Sequence, residues 1–230
     1  AMSQIYPGSD LLKYIIDEDL QPGDGLPAIK DLAGSDILGG SSGKIREQLA
    51  VVKAMGLVET RTRTGSRLKE FSFAPSVRLG LFYALARNDD AFDSFSQVRV
   101  HLESAFWEEA CACITDETIT IMRDCIEQAR AKLNGTRIQI PNAEHRRFHL
   151  TLFQQLNNPF VPGLLEAYWD AYDAIAPQLY MDYEYLQTVW NYHERILDAI
   201  CEEDFARAKA DFIEHTTLLR HTRSNHRDGS

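Results

Sequence analysis

Lys44-Ile45-Arg46-Glu47-Gln48-Leu49-Ala50-Val51-Val52-Lys53-Ala54-Met55-Gly56-Leu57-Val58-Glu59-Thr60-Arg61-Thr62-Arg63 is the stretch that decides the fold of the first third of this chain. From Lys44 to Met55, Ile45, Leu49, Val52 and Met55 recur at helical spacing. Gly56 ends that helix, because glycine takes up the left-handed backbone of a helix terminus without strain. Leu57 to Arg63 then alternates like a strand, Thr64-Gly65-Ser66 turns the chain, and Arg67-Leu68-Lys69 can pair back as a hairpin. Upstream, Leu38 to Gly43 reads as a turn, and a short helix after Pro27 runs through Ile29, Leu32 and Ala33. A first helix within 5–20 carries Leu11, Leu12, Tyr14, Ile15 and Ile16 and is stopped by Gln21-Pro22-Gly23-Asp24-Gly25. Three helices followed by a small basic hairpin is the order of a winged helix-turn-helix, to which we assign residues 1–70.

Outward in the other direction, 71–75 reads as a linker and 76–230 as a wholly helical domain. Helices are expected near 76–88, 92–113, 116–133, 142–156, 160–179, 184–202 and 204–223, about seven in all. Asn88-Asp89-Asp90, Thr115-Asp116, Asn134-Gly135, Asn157-Asn158-Pro159 and Glu203-Asp204 supply the caps and turns between them. The fold class is therefore mostly α, a winged helix-turn-helix joined to an all-α bundle.

Charge separates the two parts. The chain carries a net charge of -10, which repels nucleic acid unless a basic surface is concentrated locally. Between Ser41 and Lys69 stand Lys44, Arg46, Lys53, Arg61, Arg63, Arg67 and Lys69, against Glu47 and Glu59. Cys111, Cys113, Cys125 and Cys201 form no C-x-x-C pair and no disulfide framework, as expected of reduced thiols in the cytoplasm. No apolar run approaches the roughly 18 residues of a membrane span, and no basic-then-apolar leader pattern is visible, so no membrane partner is expected.

Leu20-Gln21-Pro22-Gly23-Asp24-Gly25-Leu26-Pro27, Leu32-Ala33, Ile45-Arg46-Glu47-Gln48-Leu49, Met55-Gly56-Leu57-Val58 and Gly65 follow one another in a specific order and spacing. Downstream come Arg99-Val100-His101-Leu102-Glu103, Phe148-His149, His193 to Ile200 and Asp204 to His215. With these blocks the chain resembles the GntR family of bacterial regulators, and within it the FadR subfamily with a C-terminal FCD ligand-binding domain. The resemblance covers nearly the whole chain and has two departures. Gly39-Gly40-Ser41-Ser42-Gly43 stands where the family carries a Ser-Arg pair, in a slightly longer connection. His145 stands where the family carries an aspartate.

The resemblance implies a homodimer that binds a double-stranded DNA operator, commonly as a repressor, and releases it when a small organic acid binds. The reading helix would span Gly43 to Met55, with Ser41, Ser42, Lys44 and Arg46 at the end that penetrates the major groove. Lys30 would face the backbone from the preceding helix, and Arg61, Arg63, Gly65 and Arg67 would form the wing. His145 and His149 lie one turn apart on one helix face and can converge on one ion. With His193 and His215 they would make an imidazole-rich site for a divalent transition metal, zinc or nickel foremost. Arg99 is the expected fork for the acid's carboxylate; an i,i+4 pair with Glu103, which we place beside the ligand, is the plainer alternative. Trp107, Trp169, Tyr172 and Trp190 are pocket walls or plain core.

A metal-dependent enzyme is the main rival. Against it, His145-Arg146-Arg147-Phe148-His149 is H-x-x-x-H and lacks the glutamate base of a zinc protease. Gly39 to Lys44 fails as a phosphate loop, since Leu38 and Ile45 occupy the positions of its glycine and its hydroxyl residue. A helical interaction module with a degenerate DNA-binding domain is the third reading, resting on the altered Gly39–Gly43 turn.

Overall fold

The computed structural model describes residues 8–33, 38, 40–62, 65–88, 90–176 and 182–227, with side chains given to 216 and at 218. The chain divides into two compact units, 1–76 and 77–230.

In the first unit, α1 (Asp10–Asp17), α2 (Ile29–Ala33) and α3 (Ser42–Ala54) precede β1 (Val58–Arg61) and β2 (Gly65–Leu68). The strands pair antiparallel with Val58 opposite Leu68 and Arg61 opposite Gly65. The hairpin expectation holds, although Gly65, expected in the turn, is the first residue of β2. Helix α3 starts at Ser42, inside the stretch expected to be turn, because the Ser41 hydroxyl accepts from Lys44 N–H at 3.2 Å and satisfies a free donor of the first turn. Leu11, Ile15, Leu32, Ile45, Val52 and Val58 form the core. Gln48 of α3 pins the start of α1: its Oε1 accepts from Ser9 Oγ at 2.9 Å and Leu11 N–H at 2.7 Å. Gly56 has φ +75°, and a Cβ there would come within 2.5 Å of Pro75 Cγ. The position requires glycine for its backbone and for its packing.

Among the described residues the second unit is built of α4 (Ala74–Arg87, which begins in the first), α5 (Ala91–Ala105), α6 (Trp107–Ala112), α7 (Asp116–Leu133), α8 (Asn142–Phe153), α9 (Phe160–Ile175), α10 (Tyr183–Cys201) and α11 (Phe205–Arg227). Two expectations are corrected. Helix α4 starts inside the segment read as linker; Pro75 is tolerated there because first-turn N–H groups have no acceptor in the helix. The single helix expected over 92–113 is broken at Phe106, so seven helices become eight. Ala105-Phe106-Trp107 contains no breaker; the break coincides with Trp107 turning into the core, 1% exposed, its ring 4.8 Å from Phe212 and its Nε1 donating to Phe205 O at 3.1 Å. Burying one such indole is worth about 5 kcal/mol gross at 25 cal/mol per Å², more than the few helical hydrogen bonds a one-residue break forfeits.

Thr115 and Thr118 form a capping box on α7, and Asp182 Oδ1 caps α10 by accepting from Tyr185 N–H at 2.7 Å. One core, with Met122, Cys125, Phe148, Phe153, Leu165, Trp190 and Ile196, is drawn from α6 to α11. A second, with Leu81, Phe92, Tyr168, Trp169 and Tyr172, joins α4, α5 and α9. The four candidate histidines sit inside this framework on α8, α10 and α11.

Candidate functional site

In the first unit the expected DNA-contacting residues are surface groups. Lys30, Ser41, Lys44, Arg46, Arg61, Gly65 and Arg67 are exposed and Ser42 is half-buried; Arg63 lies outside the described residues. Ile45 and Val52 face inward, which turns Arg46 outward on α3. Several cations have partners within the unit. Lys44 Nζ lies 2.7 Å from Asp10 Oδ2, Arg61 Nη2 2.8 Å from Glu59 Oε1, and Arg67 Nη1 donates to Gly23 O at 2.9 Å. Exposed pairs of this kind are worth well under about 1 kcal/mol, so a phosphate can take the place of the carboxylate. Arg46 and Lys30 make no ion pair among the described residues.

In the second unit the structure brings all four expected histidines together. His145 and His149 come from α8, His193 from α10 and His215 from α11. One nitrogen from each lies within 4.8 Å of the others. His149, His193 and His215 are buried, and His145 is half-buried at a cleft lined by Tyr172, Tyr185, Val189 and Trp190. Nε2 of His149 is 3.3 Å from Nε2 of both His193 and His215.

Proton placement makes these contacts informative. A carbonyl only accepts, so His193 Nδ1, 2.8 Å from Val189 O, must carry the hydrogen, and its Nε2 is a bare lone pair. His149 Nδ1 lies 3.4 Å from Glu103 Oε1 without a hydrogen bond between them. The bare His193 Nε2 lone pair thus stands 3.3 Å from His149 Nε2. That spacing is also the edge, about 3.3 Å, of a tetrahedron with metal–nitrogen bonds of about 2.05 Å. His145 Nε2 and His215 Nδ1 add buried nitrogens with no partner among the described residues. The donor set fits a transition metal.

Electrostatics agree. Burial pushes all four imidazoles below their ordinary range, His193 to about 3, with the Arg99 charge acting in the same direction. They are neutral lone-pair donors at physiological pH. Glu103 is fully buried and its carboxyl is pushed up to about 7 by burial, an effect that Arg99 opposes. Arg99 is 7% exposed. Burial works against its charge, and Glu103 with Tyr168 outweighs that. Its Nε is 2.8 Å from Glu103 Oε2, and its guanidinium lies 4.8 Å from the centre of the Tyr168 ring. The i,i+4 pair therefore exists, and it is buried beside the histidines rather than solvated.

Sequence reasoning missed three contributors: Tyr168 beneath Arg99, Tyr185 at the cleft, and Glu103 as the partner of His149 across 46 positions of sequence. Tyr168 lies in no block that the sequence singles out, and nothing local links Glu103 to α8. Of the aromatic candidates, Trp169, Tyr172 and Trp190 stand around His145, while Trp107 packs on Phe153 and Phe212.

Residues 94–218, which carry Arg99, Glu103 and all four histidines, match the FCD domain family model. The chain belongs to the FCD-containing GntR family. The FCD match spans α5 to α11. Two HTH-type transcriptional regulators of Bacillus subtilis are similar over most of their length. YcbG is 25% identical, covering 87% of this chain and 81% of its own; LutR is 26% identical, covering 86% and 91%. Among solved structures, Streptococcus agalactiae GntR superposes with a TM-score of 0.62 at 19% identity, covering 92% of this chain and 96% of its own. E. coli McbR/YncC gives 0.52 at 18% identity, covering 95% and 99%. These likenesses bear out the winged, mostly α fold expected for a GntR chain. The curated relatives are regulators rather than enzymes, which sets the metal-enzyme reading aside. Among the described residues no helix is long and apolar enough to cross a membrane.

Proposed function

We propose that this protein is a cytoplasmic repressor that binds its operator through the winged unit and is released when an organic acid binds its FCD domain beside a zinc or nickel ion. The observation that carries this reading is the meeting of four neutral imidazoles with a buried, charged Arg99. His145, His149, His193 and His215 would hold the ion, which supplies a positive centre for a carboxylate oxygen. Arg99 would fork onto the same carboxylate, held in place by Glu103 and Tyr168.

Arg46, Lys44 and Ser42 at the start of α3, with Lys30 on α2, would contact the major groove and its phosphates. Arg61, Gly65, Arg67 and the undescribed Arg63 would serve the wing. A C2 homodimer would present two such units to a pseudo-palindromic operator, and the acid must bind one arrangement of the dimer better than the other to shift affinity.

Fluorescence anisotropy against duplex from the gene's own upstream region, with scrambled duplex alongside and a salt series, tests the proposal. We expect selective binding with a steep salt slope, weakened by an acid only in metal-loaded protein. Equal, weak binding to both duplexes in either metal state contradicts it.

A further inference from the structure

The indole Nε1–H of Trp169 is fully buried and has no acceptor among the described residues. The neighbours of its ring belong to the histidine centre: His145 at 4.8 Å, His149 at 5.1 Å, Tyr172 at 5.2 Å and Tyr168 at 5.4 Å, with the Arg99 guanidinium at 5.8 Å. Trp107 is the contrast within the same unit, since its indole N–H is spent on Phe205 O. A buried donor left unmade is costly, and native structures resolve such cases with a bound molecule or water.

The kind of partner follows from the chemistry. The unpaired imidazole nitrogens at this centre offer lone pairs and call for a cation. An indole N–H only donates and calls for an acceptor, which a metal ion is not. Arg99, its Nε paired with Glu103 Oε2 at 2.8 Å, adds a positive charge 5.8 Å from the Trp169 ring. An unspent buried indole N–H, a guanidinium charge and a cation-binding cluster lining one centre fit a small oxyanion that bridges them.

We propose that Trp169 is a specificity-determining contact of the effector, its Nε1–H and Arg99 donating to oxygens of one bound carboxylate or phosphate. This rests on the reading that an acid binds beside Arg99. It adds that the indole wall selects for an oxygen acceptor close to α9.

The test uses the full-length, zinc-loaded protein with 15N-labelled tryptophan, and sodium acetate, succinate and inorganic phosphate as probes. The three indole N–H resonances are assigned with W169F and W107F. Binding of a probe should move the Trp169 resonance downfield and leave that of Trp107 in place; which probe does so separates a carboxylate from a phosphate ligand. Calorimetry should show W169F binding that probe about tenfold more weakly, the discrimination expected from losing one buried donor, with zinc affinity within about twofold of wild type. A probe that binds the wild type without moving the Trp169 resonance, and binds W169F equally well, overturns the role of Trp169 and leaves the Arg99 reading intact. Failure of all three probes to bind the zinc-loaded wild type overturns both.

Discussion

Arg99 and Arg46 mark two extremes in one chain. Arg99 is 7% exposed, between Glu103 and the face of Tyr168, whereas Arg46 stands on the open side of α3 with no ion pair among the described residues. Burial fixes the protonation, orientation and partners of the first, because an unmatched charge there costs several kcal/mol. Water screens the second and leaves it available to an incoming phosphate. Under the proposed function, the effector centre works with groups fixed in advance and the DNA-facing surface with groups left exchangeable.

The largest effect that can break this comparison is expected at the buried end. His193→Ala should lower zinc affinity by more than about 100-fold in competition with a chromophoric chelator, since even outer partners of a metal ligand are worth 10–100-fold. If affinity falls only a few-fold, the centre is not built for a metal.

Acid should separate the regions next. In metal-free protein the four imidazoles titrate below their ordinary value, His193 at about 3, while in the unfolded chain they titrate near 6.5. Between those limits the unfolded chain binds more protons, so stability is full above about pH 6.5 and is lost as pH falls. Glu103, raised to about 7, works in the opposite sense as one group against four. All three tryptophans lie in the second unit. The midpoint of thermal unfolding followed by tryptophan emission should therefore drop between about pH 7.5 and 5. A flat profile would show the histidines solvated.

Gly56→Ala sharpens the comparison from the other unit. Left-handed strain and the overlap with Pro75 should destabilise the first unit by about 2 kcal/mol. The change should appear in urea unfolding followed by far-ultraviolet circular dichroism, with tryptophan emission unmoved. Arg46→Ala should weaken operator binding by about 1–2 kcal/mol at fixed salt if it reads a base. Asp10→Asn frees Lys44 from its exposed pair and should change stability by less than about 0.5 kcal/mol. A larger loss would mean that the partners on the basic face are held as firmly as those of the histidine centre.

The element order of the first unit, the glycine after α3, the antiparallel hairpin and the four histidines were legible in the sequence, because each rests on local chemistry or on a spaced block. Ile45, Leu49 and Val52 set the buried side of α3 by periodicity alone, and that leaves Arg46 outside. Ser41 could have been read as a cap in the same way; three glycines around it masked the signal, and only the bond to Lys44 N–H shows where the helix starts.

Tertiary structure decided the rest. The break at Phe106 follows from where Trp107 finds a cavity to fill, which no neighbour in sequence encodes. The Arg99–Glu103 pair is written at i,i+4, but only packing places it in the dry interior beside His149, where a common surface pair is cut off from water. Which groups are present and how they repeat along each helix can be read from the chain alone, since the repeat is a property of 3.6-residue periodicity. Which nitrogens lose water, which of them approach one another and which indole N–H is left without an acceptor depend on contacts between distant segments, because desolvation is set by the whole fold.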